Sequence, residues 1–181
     1  YNIKKKEAIK KYFYNDSFYK KLIKKKKKDK RLKKEYAKIK KYKKMIKFVY
    51  QNSPRGTGDA ILKCRKLIKS RHFLMLLPDD LIVGKNCSRS MIKLHEQHNS
   101  SVIASNKVKS RDVSRWGIFK LKKFSKNDFL IKDVVEKPSI KSAPSNYAVI
   151  GRYILPVKIF KILRKQKPGQ NGEIHITDSI R

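Results

Sequence analysis

The chain is poor in cysteine, in acidic residues and in long apolar runs. Its two cysteines among 181 residues, Cys64 and Cys87, stand at unrelated spacing, which excludes a disulfide framework and a cysteine-based metal motif. A reducing, cytoplasmic setting is therefore expected. No apolar run approaches the roughly 18 residues of a membrane span, and no small-residue cleavage site follows an apolar stretch near the start. These absences predict a soluble chain without a membrane partner. No serine or cysteine nucleophile motif is present, which argues against a hydrolase. The four histidines, His72, His95, His98 and His175, have no spacing that demands a metal. Internal repeats are absent.

Acidic residues number 14 against 49 Lys and Arg, a formal charge of +35. A charge of this size suggests nucleic-acid binding as one class of function, but its placement weakens that reading. Residues 1–50 hold 22 basic and 4 acidic residues, including the run Lys24 to Lys28 and a single arginine, Arg31. Arginine is the residue that reads bases and phosphates bidentately, so a lysine bias fits a solvated face better than selected readout. No specific nucleic-acid partner is expected. With 39% hydrophobic residues and 8 Phe plus 9 Tyr, the chain carries enough apolar material for a core.

Apolar residues at three- and four-residue steps between Phe18 and Ile46 predict one or two amphipathic helices with lysine polar faces. Phe48 to Gln51 reads as a short strand, followed by a turn through Gly56 and Gly58. A helix over 59–69 leads to the unbroken apolar run 73–77, a strand of the kind buried inside a parallel sheet. A helix at 90–97, a strand at 101–104, three β-rich stretches (117–121, 129–136 and 147–155) and a helix at 157–167 complete the pattern. An α/β architecture follows.

Ligands in open α/β sheets bind beyond the carboxyl ends of strands, and three polar clusters fall there. Gln51 with Gly56 and Gly58 offers glycine backbone that could approach a base or phosphate, or a plain helix start. Pro78-Asp79-Asp80 suits Mg²⁺, which takes one or two carboxylates plus substrate phosphates, or an Asp turn. Glu136-Lys137-Pro138 can bind sugar hydroxyls and a phosphate, or form a surface ion pair.

Five motifs stand in this order: Gln51-x4-Gly56-Thr57-Gly58-Asp59-Ala60, Leu77-Pro78-Asp79-Asp80, Val135-Glu136-Lys137-Pro138, the stretch from Ala143 to Tyr153, and that from Pro168 to Asp178. In them the chain resembles bacterial UTP–glucose-1-phosphate uridylyltransferases, from about Ala8 to its last residue. The resemblance implies a Rossmann-like nucleotidyltransferase fold with a mixed central sheet, in one domain spanning 1–181 with 1–47 as a lysine-rich helical segment. It implies that UTP and glucose 1-phosphate give UDP-glucose and pyrophosphate. Gln51 and Gly56 would face the uracil, and Asp79 would hold Mg²⁺. Gly117, Glu136 and Lys137 would line the sugar phosphate site, with Lys137 an electrostatic clamp, and Asp178 would complete the metal or sugar pocket. Another base specificity stays open, and a homo-oligomer of the complete protein is compatible. The family's glycine-rich, arginine-bearing loop is not present. Thr57 and Asp59 stand where the family commonly has Leu and His. The expectation is therefore a partial domain, incomplete at its N-terminus, inert by itself and marginally folded.

Overall fold

The computed structural model describes residues 3–125, 128–169 and 172–180, so Gln170 and Asn171 of the last motif lie outside the described residues. Two compact units are present, Tyr1–Pro54 and Arg55–Arg181.

The first unit is helical: α1 (Ile3–Tyr14), α2 (Ser17–Lys25) and α3 (Lys30–Met45). Asp29 starts α3 by accepting the Leu32 amide at 2.9 Å, as an N-cap aspartate does. Leu32, Tyr36 and Ile39 then recur at helical spacing on its inner side, with Tyr36 and Ile39 buried. Tyr36 stacks on Tyr19 of α2 at 5.7 Å between ring centres. The strand expected at Phe48 to Gln51 is not formed. A lone extended run needs a neighbouring edge to satisfy its backbone. Here Phe48 packs edge-on against Tyr14, whose hydroxyl donates to the Ile46 carbonyl at 3.2 Å.

The second unit is an α/β layer structure. Its strands are β1 (His72–Leu76), β2 (Val102–Lys107), β3 (Gly117–Lys123), β4 (Phe129–Glu136) and β5 (Tyr147–Pro156), in the order β1-β5-β3-β4 with β2 also on β5. The helices are α4 (Thr57–Lys63), α5 (Cys87–His98), α6 (Ile159–Lys165) and α7 (Ile176–Ser179). Where the sequence predicts one helix over 59–69, α4 ends early and a 3₁₀ turn at Arg65–Leu67 follows.

The parallel surroundings expected for the 73–77 run are not found. Every strand pairing among the described residues is antiparallel, β1 lying on β5 with Leu74 opposite Ile154. Both faces of the run are covered over most of its length, with Leu76 at its end exposed. Phe73, Met75 and Leu77 pack on the main core with Phe160 and Leu163 of α6, while Leu74 packs with Met91 of α5. β5 alternates in the same way, Val149, Tyr153 and Leu155 facing the α6 side and Ile154 the α5 side. Local composition therefore reports coverage of the faces and is silent on strand direction.

Candidate active site

β5 is the element on which the candidate residues assemble. The turn after β1 is fastened to it at Gly151 and Arg152. The Leu77 amide donates to the Gly151 carbonyl at 2.8 Å, and the Gly151 amide donates to Asp80 Oδ2 at 2.7 Å. Arg152 Nη1 donates to the Leu77 carbonyl at 2.9 Å, and its Nη2 to the Asp80 carbonyl. A Cβ on residue 151 would stand 2.6 Å from Asp80 Oδ2 and overlap the Leu77 side chain, so only glycine admits the turn this close. The adjacent carboxylates are thereby divided. Asp80 is the turn's own acceptor, whereas Asp79 is exposed and has no hydrogen bond or ion pair among the described residues.

Two residues back along β5, about 7 Å on a strand, Val149 borders the second group. Gly117 opens β3 opposite Glu136, the last residue of β4. A Cβ on residue 117 would lie 3.0 Å from Glu136 Oε2, 3.2 Å from Thr177 Cγ2 and 3.3 Å from Val149 Cγ2. Gly117 thus leaves the space across which the Glu136 carboxylate lies. The Thr177 hydroxyl donates to Glu136 Oε2 at 3.0 Å. Lys137, next in the chain, has φ of 45°, the left-handed region that a side chain occupies rarely. Its amide donates to the Trp116 carbonyl at 2.9 Å, and its side chain is exposed.

Asp178 is exposed beside the buried Thr177 on α7. Gln166, just past α6, holds this short helix: its Nε2 donates to the His175 carbonyl at 3.0 Å and reaches Asp178 Oδ2 at 3.5 Å, and its Oε1 accepts from Ser179. Gly56, with φ of 91°, starts α4 against the segment before α7. The Ile174 amide donates to the Arg55 carbonyl at 2.9 Å, the Gly58 amide to the Ile174 carbonyl at 2.7 Å, and the Ile176 amide to Thr57 Oγ1 at 3.2 Å. A Cβ on Gly56 would meet the Ile174 carbonyl oxygen at 2.5 Å. The absence of a side chain at Gly56 is accordingly used by the fold itself. Gln51 belongs to the first unit, half-buried beyond α3.

Parts of all five sequence motifs therefore meet in the second unit: 56–60 against 174–176, Thr177 against Glu136, Gly117 beside Val149, and Gly151 against Asp80. Tyr153 lies within electrostatic reach of two of them. Its ring is buried on the same face of β5 as Val149, and its hydroxyl is pushed up to about 12, chiefly by burial, with the negative charges of Glu136 and Asp80 adding to the shift. Tyr153, Thr177 and Gln166 are the site residues that reading the sequence did not single out. The period-two alternation from Val149 through Gly151 to Tyr153 is the signal that could have marked the tyrosine.

Among the described residues, no three His, Cys, Asp or Glu side chains cluster to cage a metal. The imidazoles of His72 and His95 do meet, with ring centres 4.4 Å apart, while His98 is exposed against Phe124. No described helix is long and apolar enough to cross a membrane.

Comparison with known proteins gives the chain a family. The profile of the nucleotidyl transferase family, described as "Nucleotidyl transferase", matches residues 7–181. A UTP–glucose-1-phosphate uridylyltransferase of Pseudomonas aeruginosa is 36% identical over 136 residues, covering 74% of this chain and 49% of that protein. A crystal structure of UDP-glucose pyrophosphorylase complexed with UDP-glucose is 41% identical, with a TM-score of 0.71 over 75% of this chain and 52% of the other. An apo UDP-glucose pyrophosphorylase is 33% identical, with a TM-score of 0.84 over 97% of this chain and 65% of the other. The chain spans about half the length of the curated relatives it matches.

Proposed function

The chain belongs to the nucleotidyl transferase family, and from that premise we propose that it is the uridylyl-transferring part of an enzyme that makes UDP-glucose and pyrophosphate from UTP and glucose 1-phosphate in the cytoplasm. The observation that carries this reading is the meeting of Gly117, Glu136 and Thr177 beside Val149 of β5, with the Asp79-Asp80 turn held two residues further along the same strand at Gly151. The likeness to enzymes named for these substrates supports it.

In the proposed reaction a phosphate oxygen of glucose 1-phosphate attacks the α-phosphorus of UTP. The bond from that phosphorus to the bridging oxygen breaks, and pyrophosphate leaves. An anionic nucleophile needs no strong general base; it needs charge neutralised and the two phosphates held in line. Lys137 serves as the cation beside the sugar phosphate. Glu136, with Oε2 held by Thr177, keeps Oε1 to accept from a sugar hydroxyl, and Gly117 leaves the room for it. Gln51 and Gly56 are assigned to the uracil, and Asp178 to the rim of the metal or sugar pocket. The residue types suit Mg²⁺: Asp79 is a single accessible carboxylate, and this ion takes one or two carboxylates with substrate phosphates completing its shell. Held there, it would neutralise phosphate charge during transfer.

The test is pyrophosphate release from UTP and glucose 1-phosphate by the protein carrying this sequence. Lys137→Ala should lower kcat/KM for glucose 1-phosphate by at least roughly tenfold, the loss of one charge-assisted contact. Unchanged kinetics would remove Lys137 from the site.

A further inference from the structure

A concavity lies at the opposite end of β1 from the Asp79-Asp80 turn. The segment leading into β1 is drawn beside the start of α6 by the Val157 amide, which donates to the Arg71 carbonyl at 2.9 Å. Between the 3₁₀ turn and α6 this leaves an open groove of about 750 Å³, within the size range of small-ligand pockets. Six cations line it: Arg65, Lys66 and Lys69 from one wall, and Lys158, Lys161 and Arg164 from the other. Lys161 and Arg164 are three apart and so share one face of α6, while Ile159, Phe160 and Leu163 on its other side are buried in the core. The groove's lining includes no carboxylate. No hydrogen bond or ion pair engages any of the six side chains among the described residues.

The contrast with a groove in the first unit is informative. That one is lined by Lys10, Lys11 and Lys20 but also by Asp16, which stands 3.9 Å from Lys20. Its charge is answered partly from within, whereas the groove beside α6 has no internal counter-charge. Six like charges facing one concavity repel one another, and a multivalent anion relieves that repulsion. Two of the six are arginines, which can fork onto phosphate oxygens. At the floor, Phe160 is stacked on Phe73 at 5.5 Å between ring centres.

We propose that this groove binds a compact oligophosphate, a triphosphate chain either free or as the tail of a nucleotide, at a site separate from the candidate active site.

Calorimetric titration of the full chain with inorganic tripolyphosphate at about 0.15 M salt tests the assignment. One saturable event is expected. The pair Lys69→Gln and Lys161→Gln, one from each wall, should weaken it at least roughly tenfold, and Lys69→Arg with Lys161→Arg should retain it. The control pair Lys34→Gln and Lys41→Gln on α3 removes the same charge and should leave affinity within about twofold, as exposed, screened charges do. Equal weakening by both glutamine pairs would mean diffuse attraction to net charge and would overturn the site, as would the absence of saturable binding. Displacement by ATP at lower concentration than tripolyphosphate identifies a nucleotide ligand. Displacement only at equal or higher concentration identifies the phosphate chain alone.

Discussion

The two units carry almost the same charge and use it differently. Residues 1–54 have 22 basic and 4 acidic residues, residues 55–181 have 27 and 10. In the first unit one of the 22 is arginine, and the described buried apolar residues are Tyr36 and Ile39 alone. Nine of the 27 in the second unit are arginines, and one of them, Arg152, is built into the architecture by its bonds to Leu77 and Asp80. The second unit also holds Phe119, Ile118, Leu155 and Leu163, each at most 1% exposed. Charge density therefore tells little about where binding chemistry sits. The candidate active site, as far as Gly117, Glu136, Lys137 and Asp79 define it, belongs to the unit that buries its apolar residues.

The largest expected difference between the units is in stability. Phe119→Ala should cost about 3–5 kcal/mol, the range for deleting a buried aromatic ring. Met45→Ala, at a side chain 69% exposed, should stay within about 0.5 kcal/mol. Denaturant unfolding of the two variants measures both, and comparable losses would erase the contrast.

The next effect is alkaline. The Tyr153 hydroxyl has its folded pKa raised above the ordinary value of 10 to about 12, so the folded state holds that proton longer. Its contribution is fully present below pH 10 and is lost as pH rises through about 12, on the order of 2 kcal/mol. Tyr153→Phe should flatten that part of the stability profile between pH 10 and 12. An unchanged slope would show that lysine deprotonation alone drives the alkaline loss.

Smaller still is the backbone effect at Lys137. A left-handed conformation disfavours a side chain by about 1–2 kcal/mol and glycine hardly at all. Lys137→Gly should therefore raise stability by about 1 kcal/mol while weakening sugar phosphate binding. Lys137→Ala should weaken binding without the gain. Thermal melts of the two variants separate backbone from ammonium, and equal melting temperatures would refute the strain.

Much of the fold was legible in the sequence because periodicity reports burial directly. Tyr36 and Ile39 at helical spacing, and Val149, Tyr153 and Leu155 in alternation, mark faces that pack. Partner identity was not legible. The run Phe48 to Gln51 has strand-like composition but no edge to join, and the run 73–77 packs from both faces, Leu76 apart, without being parallel. For the candidate site, polar residues at strand ends singled out Asp79, Glu136 and Lys137, and the family resemblance added Gly117. Composition could not tell Asp79 from Asp80, since the difference lies in the Gly151 amide 71 residues away in sequence. Nor could it pair Thr177 with Glu136, 41 residues apart, or show that Gly56 yields its space to Ile174.

The most direct test of the central claim, that these motifs fold into a sugar nucleotide site, is calorimetric titration of UDP-glucose into the chain with Mg²⁺ present. Saturable binding is predicted for the wild type, weakened at least roughly tenfold in Glu136→Gln, which keeps the shape and removes the charge that accepts the sugar hydroxyl. Binding of equal strength in both proteins, or none in either, would contradict the account.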